Sequence, residues 1–178
     1  MPHIHTQPGE HDQTASAFIV RLSTTEPKLL LHRHKKLGTF LQFGGHVEKE
    51  ENPWAGVLHE IEEEAGYTVD QLSVLQPKNV PRSLKGATLH PYPVCLMTHL
   101  FSADHFHTDI EFAFTVLKDS KKEIAPGEST TIRGFTRDEL AALPEEEIPG
   151  NVREIGMFIF DICLGGWIAV SAEKYDTA

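Results

Sequence analysis

The chain has 178 residues, of which 40% are hydrophobic and 24% charged, enough for one well-buried domain but short for two. The formal net charge of −10 excludes a general electrostatic affinity for polymeric nucleic acid or an anionic membrane, since both require a basic surface. The N-terminal stretch is polar and lacks the apolar region of a signal peptide, so we expect a cytoplasmic protein.

The first half of the chain is predicted to contain two strands. Residues 1–13 contain two prolines and a glycine and are expected to be irregular, with His3, His5 and His11 in a solvated terminus rather than a metal site. Strands are predicted at residues 15–23 and 28–34. A further short stretch, residues 40–43, leads directly into Gly44 and Gly45.

A short helix follows, and both of its ends are marked in the sequence. Asn52 is suited to the N-cap, Pro53 to the first helical position, and Gly66 to a left-handed stop. The apolar residues that recur at helical spacing form one stripe, which we expect to be buried. They are Trp54, Val57, Leu58, Ile61 and Ala65.

Three acidic residues of this helix, Glu60, Glu63 and Glu64, group together beside the apolar stripe, whereas Glu62 points away. Like charges at this spacing each cost about 0.2–0.5 kcal/mol, and carboxylates in the last turn also oppose the negative end of the helix dipole. A hard cation such as Mg2+ reverses both effects because it prefers oxygen ligands. From these residues alone, a metal site and a solvated acidic face are equally supported.

The second half of the chain reads as further strands and two helices. Long strands are predicted at residues 92–102 and 110–117, with a loop between them, and a short strand at residues 130–135. Thr136 is expected to cap a short helix, with Glu139 completing a capping box. A buried C-terminal helix is predicted over residues 151–171. The two cysteines, Cys95 and Cys163, lie in apolar runs and are interpreted as free thiols.

The spacing of residues 45–67, called the box segment below, resembles the Nudix box G-x5-E-x7-R-E-U-x-E-E-x-G-U, where U is a bulky apolar residue. The chain matches this pattern at Gly45, Glu51, Glu60, Ile61, Glu63, Glu64, Gly66 and Tyr67. The single departure is His59, where the pattern has arginine. The resemblance implies one α/β domain over residues 1–178, an α/β/α sandwich with a mixed β-sheet, whose box segment binds divalent metal and positions a diphosphate for attack by water.

The resemblance also implies roles for individual residues. The implied ligands of a Mg2+ or Mn2+ ion are the Gly45 carbonyl, Glu60, Glu63 and Glu64. Glu60 is also a candidate base, and Glu51 is expected to steady the end of the helix. His59 is able to donate to Glu51 but makes no bidentate pair, so we expect metal binding to persist with less efficient catalysis.

Four residues outside the helix are candidates for contacting substrate: Arg33, Lys35, Gln42 and Glu111. Arg33 and Lys35, with Lys36, precede the box segment and would meet a distal phosphate, although a simple basic turn explains them equally well. Glu111, or the nearby Asp109, would add a carboxylate to the metal cluster, or else would be a solvent-facing strand acid. His105 and His107 flank a predicted loop where a ligand would have room to lie, but isolated histidines are more typical of the surface, and we interpret both as surface residues.

The implied function is metal-dependent hydrolysis of a nucleoside diphosphate linked to another moiety, with a small phosphorylated molecule as the partner. Two alternatives remain open, a binding module that has kept the fold and lost turnover, and an enzyme similar to isopentenyl diphosphate isomerase. That isomerase chemistry uses a catalytic cysteine and extra metal-binding histidines, and Cys95 lies here within an apolar strand pattern, which argues against it. Polymeric nucleic acid and membrane are not expected as partners, and a homodimer is left open.

Overall fold

The computed structural model describes residues 9–102 and 104–177, and within these ranges a nine-stranded mixed sheet lies between two helical layers. The strands are β1 (His11–Arg21), β2 (Lys28–Arg33), β3 (Phe40–Leu41), β4 (Phe43–His46), β5 (Ser73–Gln76), β6 (Cys95–Ser102), β7 (His105–Val116), β8 (Ile132–Phe135) and β9 (Ile168–Ser171). The α-helices are α1 (Pro53–Ala65), α2 (Arg137–Ala141), α3 (Gly150–Phe158) and α4 (Leu164–Gly166). A π-helical segment (Ile159–Cys163) joins α3 to α4, and single 3-10 turns lie at Val69–Gln71 and Ala172–Lys174. The predicted α/β/α sandwich with a mixed sheet is confirmed.

Strand β1 is central because it pairs along both of its edges. One edge runs parallel to β7 over the whole strand, from His11 beside Phe106 to Arg21 beside Val116. The other edge is divided between two antiparallel partners, β4 along residues 14–17 and β2 along residues 19–21. We call the point at which β2 and β4 diverge, beside Phe18, the fork.

The two faces of β1 lie in different cores because its side chains alternate. Ala17 and Ile19 pack in the core beneath α1, together with Trp54, which is fully buried. Phe18 and Val20 pack in the opposite core, which contains residues of α2 and α3. Burial of each large apolar side chain contributes about 1.5–3 kcal/mol, so both helical layers are held firmly against the strand that carries the fork.

Helix α1 has the ends that its sequence predicts. The Asn52 side-chain oxygen accepts from the N–H groups of Trp54 at 3.0 Å and Ala55 at 2.9 Å. Gly66 ends the helix in the left-handed conformation, with φ at 69°, and its N–H donates to the Glu62 carbonyl at 3.1 Å. Both caps satisfy backbone groups that a helix end otherwise leaves unpaired.

Replacing Gly66 by alanine should destabilise the protein more than the same change at Gly38. Both glycines have φ at 69°, so both alanine variants incur the left-handed penalty of roughly 1–2 kcal/mol. A Cβ at Gly66 would also lie 2.2 Å from the Lys122 carbonyl oxygen, whereas at Gly38 it meets nothing within 4 Å. Because Lys122 N–H donates to the Gly66 carbonyl at 3.0 Å, we expect a further loss of about 1 kcal/mol. Urea unfolding of both variants tests this, and equal midpoints would contradict it.

Two strands begin earlier than the sequence indicates. The segment expected to be irregular, 1–13, already contains the start of β1 at His11, while His3 and His5 lie outside the described residues. Strand β7 begins at His105, where a loop is predicted. Both differences have one cause: the first inward-facing side chains of these strands, Asp12 and His107, are polar yet buried, so a search for apolar alternation misses them.

The C-terminal helix predicted over residues 151–171 begins at Gly150 but ends early. It passes into the π-helical segment and stops at Gly166, after which β9 pairs antiparallel with β5. Two consecutive glycines weaken the helix at this point, and the sheet edge that receives β9 comes from a distant part of the sequence. Among the described residues, no helix has both the length and the apolar character needed to cross a membrane.

Candidate active site

Helix α1 directs two carboxylates, Glu60 and Glu64, toward the two glycines of β4. Glu60 is 6% exposed and Glu64 is 7% exposed, although proteins rarely bury glutamate without a partner. The Gly44 N–H donates to Oε2 of Glu64 at 2.8 Å. A Cβ atom at Gly45 would lie 2.2 Å from Oε1 of Glu60, so this close approach requires glycine. Glycine at position 45 therefore allows Glu60 to reach β4, and the backbone N–H of Gly44 holds Glu64 there.

The Glu64 carboxylate lies at the fork and contacts both diverging strands. Its Oε2 is held by Gly44 on β4, and its Oε1 is 3.7 Å from Nδ1 of His32 on β2. Burial, with a smaller effect of the His34 charge, lowers the pKa of His32 to about 4. His32 is therefore neutral at pH 7 and does not balance the charge of Glu64.

Burial raises the pKa values of the Glu60 and Glu64 carboxylates, whereas it lowers that of His32. It raises the pKa of Glu60 to about 7 and that of Glu64 to about 8, and the negative charge of Glu128 adds to both shifts. Oε1 of Glu60 finds no hydrogen-bond donor among the described residues. A divalent cation bound through oxygen would balance this buried negative charge and occupy the free lone pair, so the donor set fits Mg2+ or Mn2+.

His59, at the arginine position of the Nudix pattern, connects two further carboxylates. Its Nδ1 is 3.2 Å from Oε1 of Glu51, and its Nε2 is 3.2 Å from Oε1 of Glu63. The expected contact with Glu51 is present, and the second partner is Glu63. Burial acts to lower the pKa of His59, but the hydrogen bond and charge of Glu63, with the charges of Glu51 and Glu60, raise it overall. The surroundings therefore favour the imidazolium form, which bridges the two carboxylates.

We expect His59→Arg to retain or raise turnover and His59→Ala to lower it about tenfold. Arginine remains charged and contacts both carboxylates more strongly, whereas alanine removes a charge-assisted hydrogen bond whose value is reduced by solvent exposure. Turnover of the wild type should fall relative to the arginine variant as the pH rises through the His59 pKa, because the neutral imidazole loses its bridging charge. Parallel pH–rate profiles measure this. A severe loss in a folded arginine variant would contradict it and indicate proton transfer by His59.

Of the predicted substrate-contacting residues, Arg33 and Gln42 lie on the strands that diverge at the fork or directly beside them, and Lys35 lies in the turn after β2. Arg33 ends β2, directly after His32, and its guanidinium carbon is 5.5 Å from the centroid of the Phe40 ring. Lys35 is exposed in the following turn, and its ammonium donates to the backbone carbonyl of Gly127. Nε2 of Gln42 is 3.5 Å from Oγ of Ser16, at the β4 side of the fork.

Glu111 is fully buried on the face of the sheet opposite α1, so it is not a solvent-facing strand acid. Neither of its carboxylate oxygens finds a nitrogen or oxygen donor in the described part of the chain. Burial, followed by the charge of Asp109, raises the pKa of Glu111 to about 8. Asp109 itself accepts from Ser16 Oγ at 2.9 and 3.1 Å. In the register of the sheet, Glu111 lies beside Ser16, which lies beside Gly44.

Residues 117–131, which carry no motif in the sequence, form the connection between β7 and β8 and contact the ends of both α1 and β2. The Ala125 N–H donates to the Glu63 carbonyl at 2.8 Å. Toward the other end, Ser129 Oγ donates to the Arg33 carbonyl at 2.7 Å. These contacts join residues that are far apart in sequence, so local patterns give no signal for them.

The prediction that His105 and His107 are surface residues is wrong. His107 is buried and the His105 side chain is only 12% exposed, and both lie in β7 beside Asp12 and His46. The alternation of His105, His107 and Asp109 at every second position was the available signal, since it is the spacing of one strand face.

Comparison with known proteins agrees with this architecture. Residues 12–154 match the NUDIX domain family. A comparison with curated proteins gives no match. A solved hydrolase of the NUDIX family from Clostridium perfringens aligns with a TM-score of 0.70 and 27% identity, covering 84% of this chain and 96% of that one.

Two more distant structures share the fold. A C. elegans Ap4A hydrolase aligns with a TM-score of 0.61 and 16% identity, covering 86% of this chain and 98% of that one. The NUDIX domain of Shewanella oneidensis NrtR, crystallised with ADP ribose, aligns with a TM-score of 0.56 and 13% identity, covering 83% of this chain and 86% of that one. The family match extends over most of the chain, and two of the box carboxylates, Glu60 and Glu64, are buried against β4. The chain therefore belongs to the Nudix family and is a Nudix hydrolase.

Proposed function

We propose that this Nudix hydrolase depends on Mg2+ or Mn2+ and cleaves a phosphoanhydride bond in a nucleoside diphosphate linked to another moiety, by attack of water at phosphorus. The observation that carries this proposal is the pair of buried carboxylates, Glu60 and Glu64, at the fork. The substrate class is supported by two structural neighbours, of which one is named an Ap4A hydrolase and the other is bound to ADP ribose. Ap4A and ADP ribose are both small phosphorylated nucleotide derivatives.

The metal would be held by the Gly45 carbonyl and by three carboxylates: Glu60, Glu63 and Glu64. When bound, it supplies positive charge that neutralises the diphosphate oxygens. The chain positions these ligands in advance, since the Gly44 N–H holds Glu64 and His59 holds Glu63. Such preorganisation lowers the cost of reaching the charged transition state.

Proton transfer is proposed for Glu60. Glu60 would hold the metal through one lone pair of its carboxylate and accept a proton from the attacking water with another, since its Oε1 finds no donor among the described residues. Arg33 and Lys35 are proposed to meet the distal phosphate, and Gln42 to contact the substrate at the fork. Glu111, largely protonated at pH 7, is proposed to donate a hydrogen bond to bound substrate.

A substrate panel tests the function directly. Purified protein is incubated with Mg2+ and nucleotide sugars, dinucleoside polyphosphates, ADP-ribose and oxidised deoxynucleoside triphosphates, in water enriched in 18O. Hydrolysis at phosphorus predicts one 18O atom in a phosphate group of one product. Turnover without 18O in phosphate, or turnover that persists in EDTA, would overturn the proposed mechanism.

The same panel separates the two alternatives. A binding module would bind a member of the panel without cleaving it, and the replacement of arginine by His59 is the feature that favours this outcome. The isomerase alternative requires a reactive cysteine. Burial, followed by the charge of Glu111, raises the pKa of Cys95, which keeps the thiol protonated and poorly nucleophilic. The cytoplasmic location stays a prediction.

A further inference from the structure

A second cluster of metal-ligating side chains lies on the sheet face opposite α1. Asp12 comes from the start of β1, His46 from the end of β4, and His105 and His107 from the start of β7. The register explains the convergence, since Asp12 lies directly beside His107 on the parallel pair. His46 pairs with the residue two positions beyond Asp12. Four side chains from three strands therefore meet at one end of the sheet.

The ligand atoms of this cluster are close together. Oδ2 of Asp12 is 3.2 Å from Nε2 of His46 and 3.2 Å from Nε2 of His105. The ligand atoms of Asp12, His105 and His107 all lie within 4.8 Å of one another. The centroids of the His46 and His107 rings are 5.0 Å apart. Neighbouring ligands of a tetrahedral Zn2+ ion, with bonds of about 2.0–2.1 Å, are about 3.3 Å apart, so small side-chain rotations would bring all four into range.

The environment of the cluster also fits a bound ion. Asp12 is 0% exposed and His107 is 7% exposed, which restricts their side chains and reduces competition from water. The ring of Phe101 stacks on His107 with centroids 4.4 Å apart, which restricts the rotation of that imidazole. Ligating histidines are commonly oriented in this way by the groups around them.

The chemical character of these ligands differs from that of the box segment. Three imidazoles and one carboxylate suit Zn2+ and related first-row transition ions, whereas Mg2+ prefers an environment of oxygen atoms. We propose that Asp12, His46, His105 and His107 bind one Zn2+-type divalent ion that is distinct from the catalytic metal. The ion joins β1, β4 and β7. Because His46 directly follows Gly45, the ion also stabilises the position of the double glycine that receives Glu60 and Glu64.

Metal analysis tests the proposal independently of any substrate. Chelator-treated protein is incubated with a slight molar excess of Zn2+ over protein and a large excess of Mg2+, then dialysed and analysed for zinc. We expect about one retained zinc per chain. His105→Gln, His107→Gln and their double variant should each lower Zn2+ affinity about 100-fold or more, measured by competition with a chromophoric chelator. His11→Gln is the matched control and should leave Zn2+ affinity unchanged. It removes an exposed imidazole of β1 that is hydrogen-bonded to the Thr108 hydroxyl and stacks on the Phe106 ring.

A second measurement is made first on the wild-type protein, where a folding defect in a variant has no effect. X-ray absorption at the zinc edge should show low-coordinate zinc with a first shell of about four nitrogen and oxygen atoms and the outer-shell signature of imidazole. Glu64→Gln should retain the same zinc content and spectrum. Wild-type protein that retains no zinc, a spectrum without imidazole, or zinc lost from Glu64→Gln but kept by the histidine variants would each overturn the proposal.

Discussion

Glu64→Gln should lower turnover on an accepted substrate by roughly 10²–10³-fold while the protein stays folded. Glutamine has the same shape, and its side-chain oxygen is able to accept from the Gly44 N–H in place of the carboxylate. The change therefore removes the negative charge offered to the metal with little disturbance of the fork. Mg2+ affinity, measured by calorimetry, should fall in parallel with turnover.

Glu62→Gln is the matched control for this experiment. Glu62 lies on the same helix and undergoes the same change in charge, but its carboxylate pairs with the Lys122 ammonium at the surface. We expect its turnover to lie within about twofold of the wild type, because exposed ion pairs contribute little. If both variants lost turnover equally, the loss would come from the change in the net charge of the helix, and Glu64 would be rejected as a metal ligand.

Mg2+ affinity should rise by about 10²–10³-fold between about pH 6 and about pH 9. Glu60 and Glu64 have pKa values of about 7 and about 8 without metal, so both must lose protons before they bind the ion. Calorimetry at about pH 6, in buffers of different ionisation enthalpy, should detect between one and two protons released per Mg2+ bound. Glu64→Gln should release about one proton fewer. Binding without proton release would contradict the protonated state of this pair.

Unfolding in the absence of metal provides a second test of the same acidity. Both folded-state pKa values lie above the ordinary value of 4.5, so the folded protein binds more protons than the unfolded chain between about pH 4.5 and about pH 8. The stability contributed by these protonated groups is complete below about pH 4.5 and is lost as the pH rises through about 8. Saturating Mg2+ should therefore raise Tm more at alkaline than at neutral pH, and an increment independent of pH would contradict this.

The sequence was most informative where structure depends on near neighbours. Both ends of α1 follow from Asn52, Pro53 and Gly66, because each acts on backbone groups within one helical turn. The grouping of Glu60 and Glu64 follows from helical spacing alone. Their burial does not, since it depends on β4 and β2 lying across the end of the helix.

The sequence was least informative where distant strands meet. The polar start of β1 becomes strand because β7 runs beside it in parallel, and no local pattern records that pairing. The fork arises because β1 changes its partner from β4 to β2 along one edge, which is a property of the whole sheet. His32 and Glu111 acquire their altered pKa values from this nonlocal burial.

The segment formed by residues 117–131 has a consequence for how such an enzyme diversifies. It is anchored at one end to the Glu63 carbonyl and at the other to the Arg33 carbonyl. It therefore links the last turn of α1, which we propose to bind the metal, to the end of β2, which we propose to face the phosphate, although it contributes no residue to either core cluster. Insertions or deletions within it would leave the folding of the sheet almost untouched while changing the distance between the end of α1 and the end of β2, so we expect substrate range to change here faster than stability.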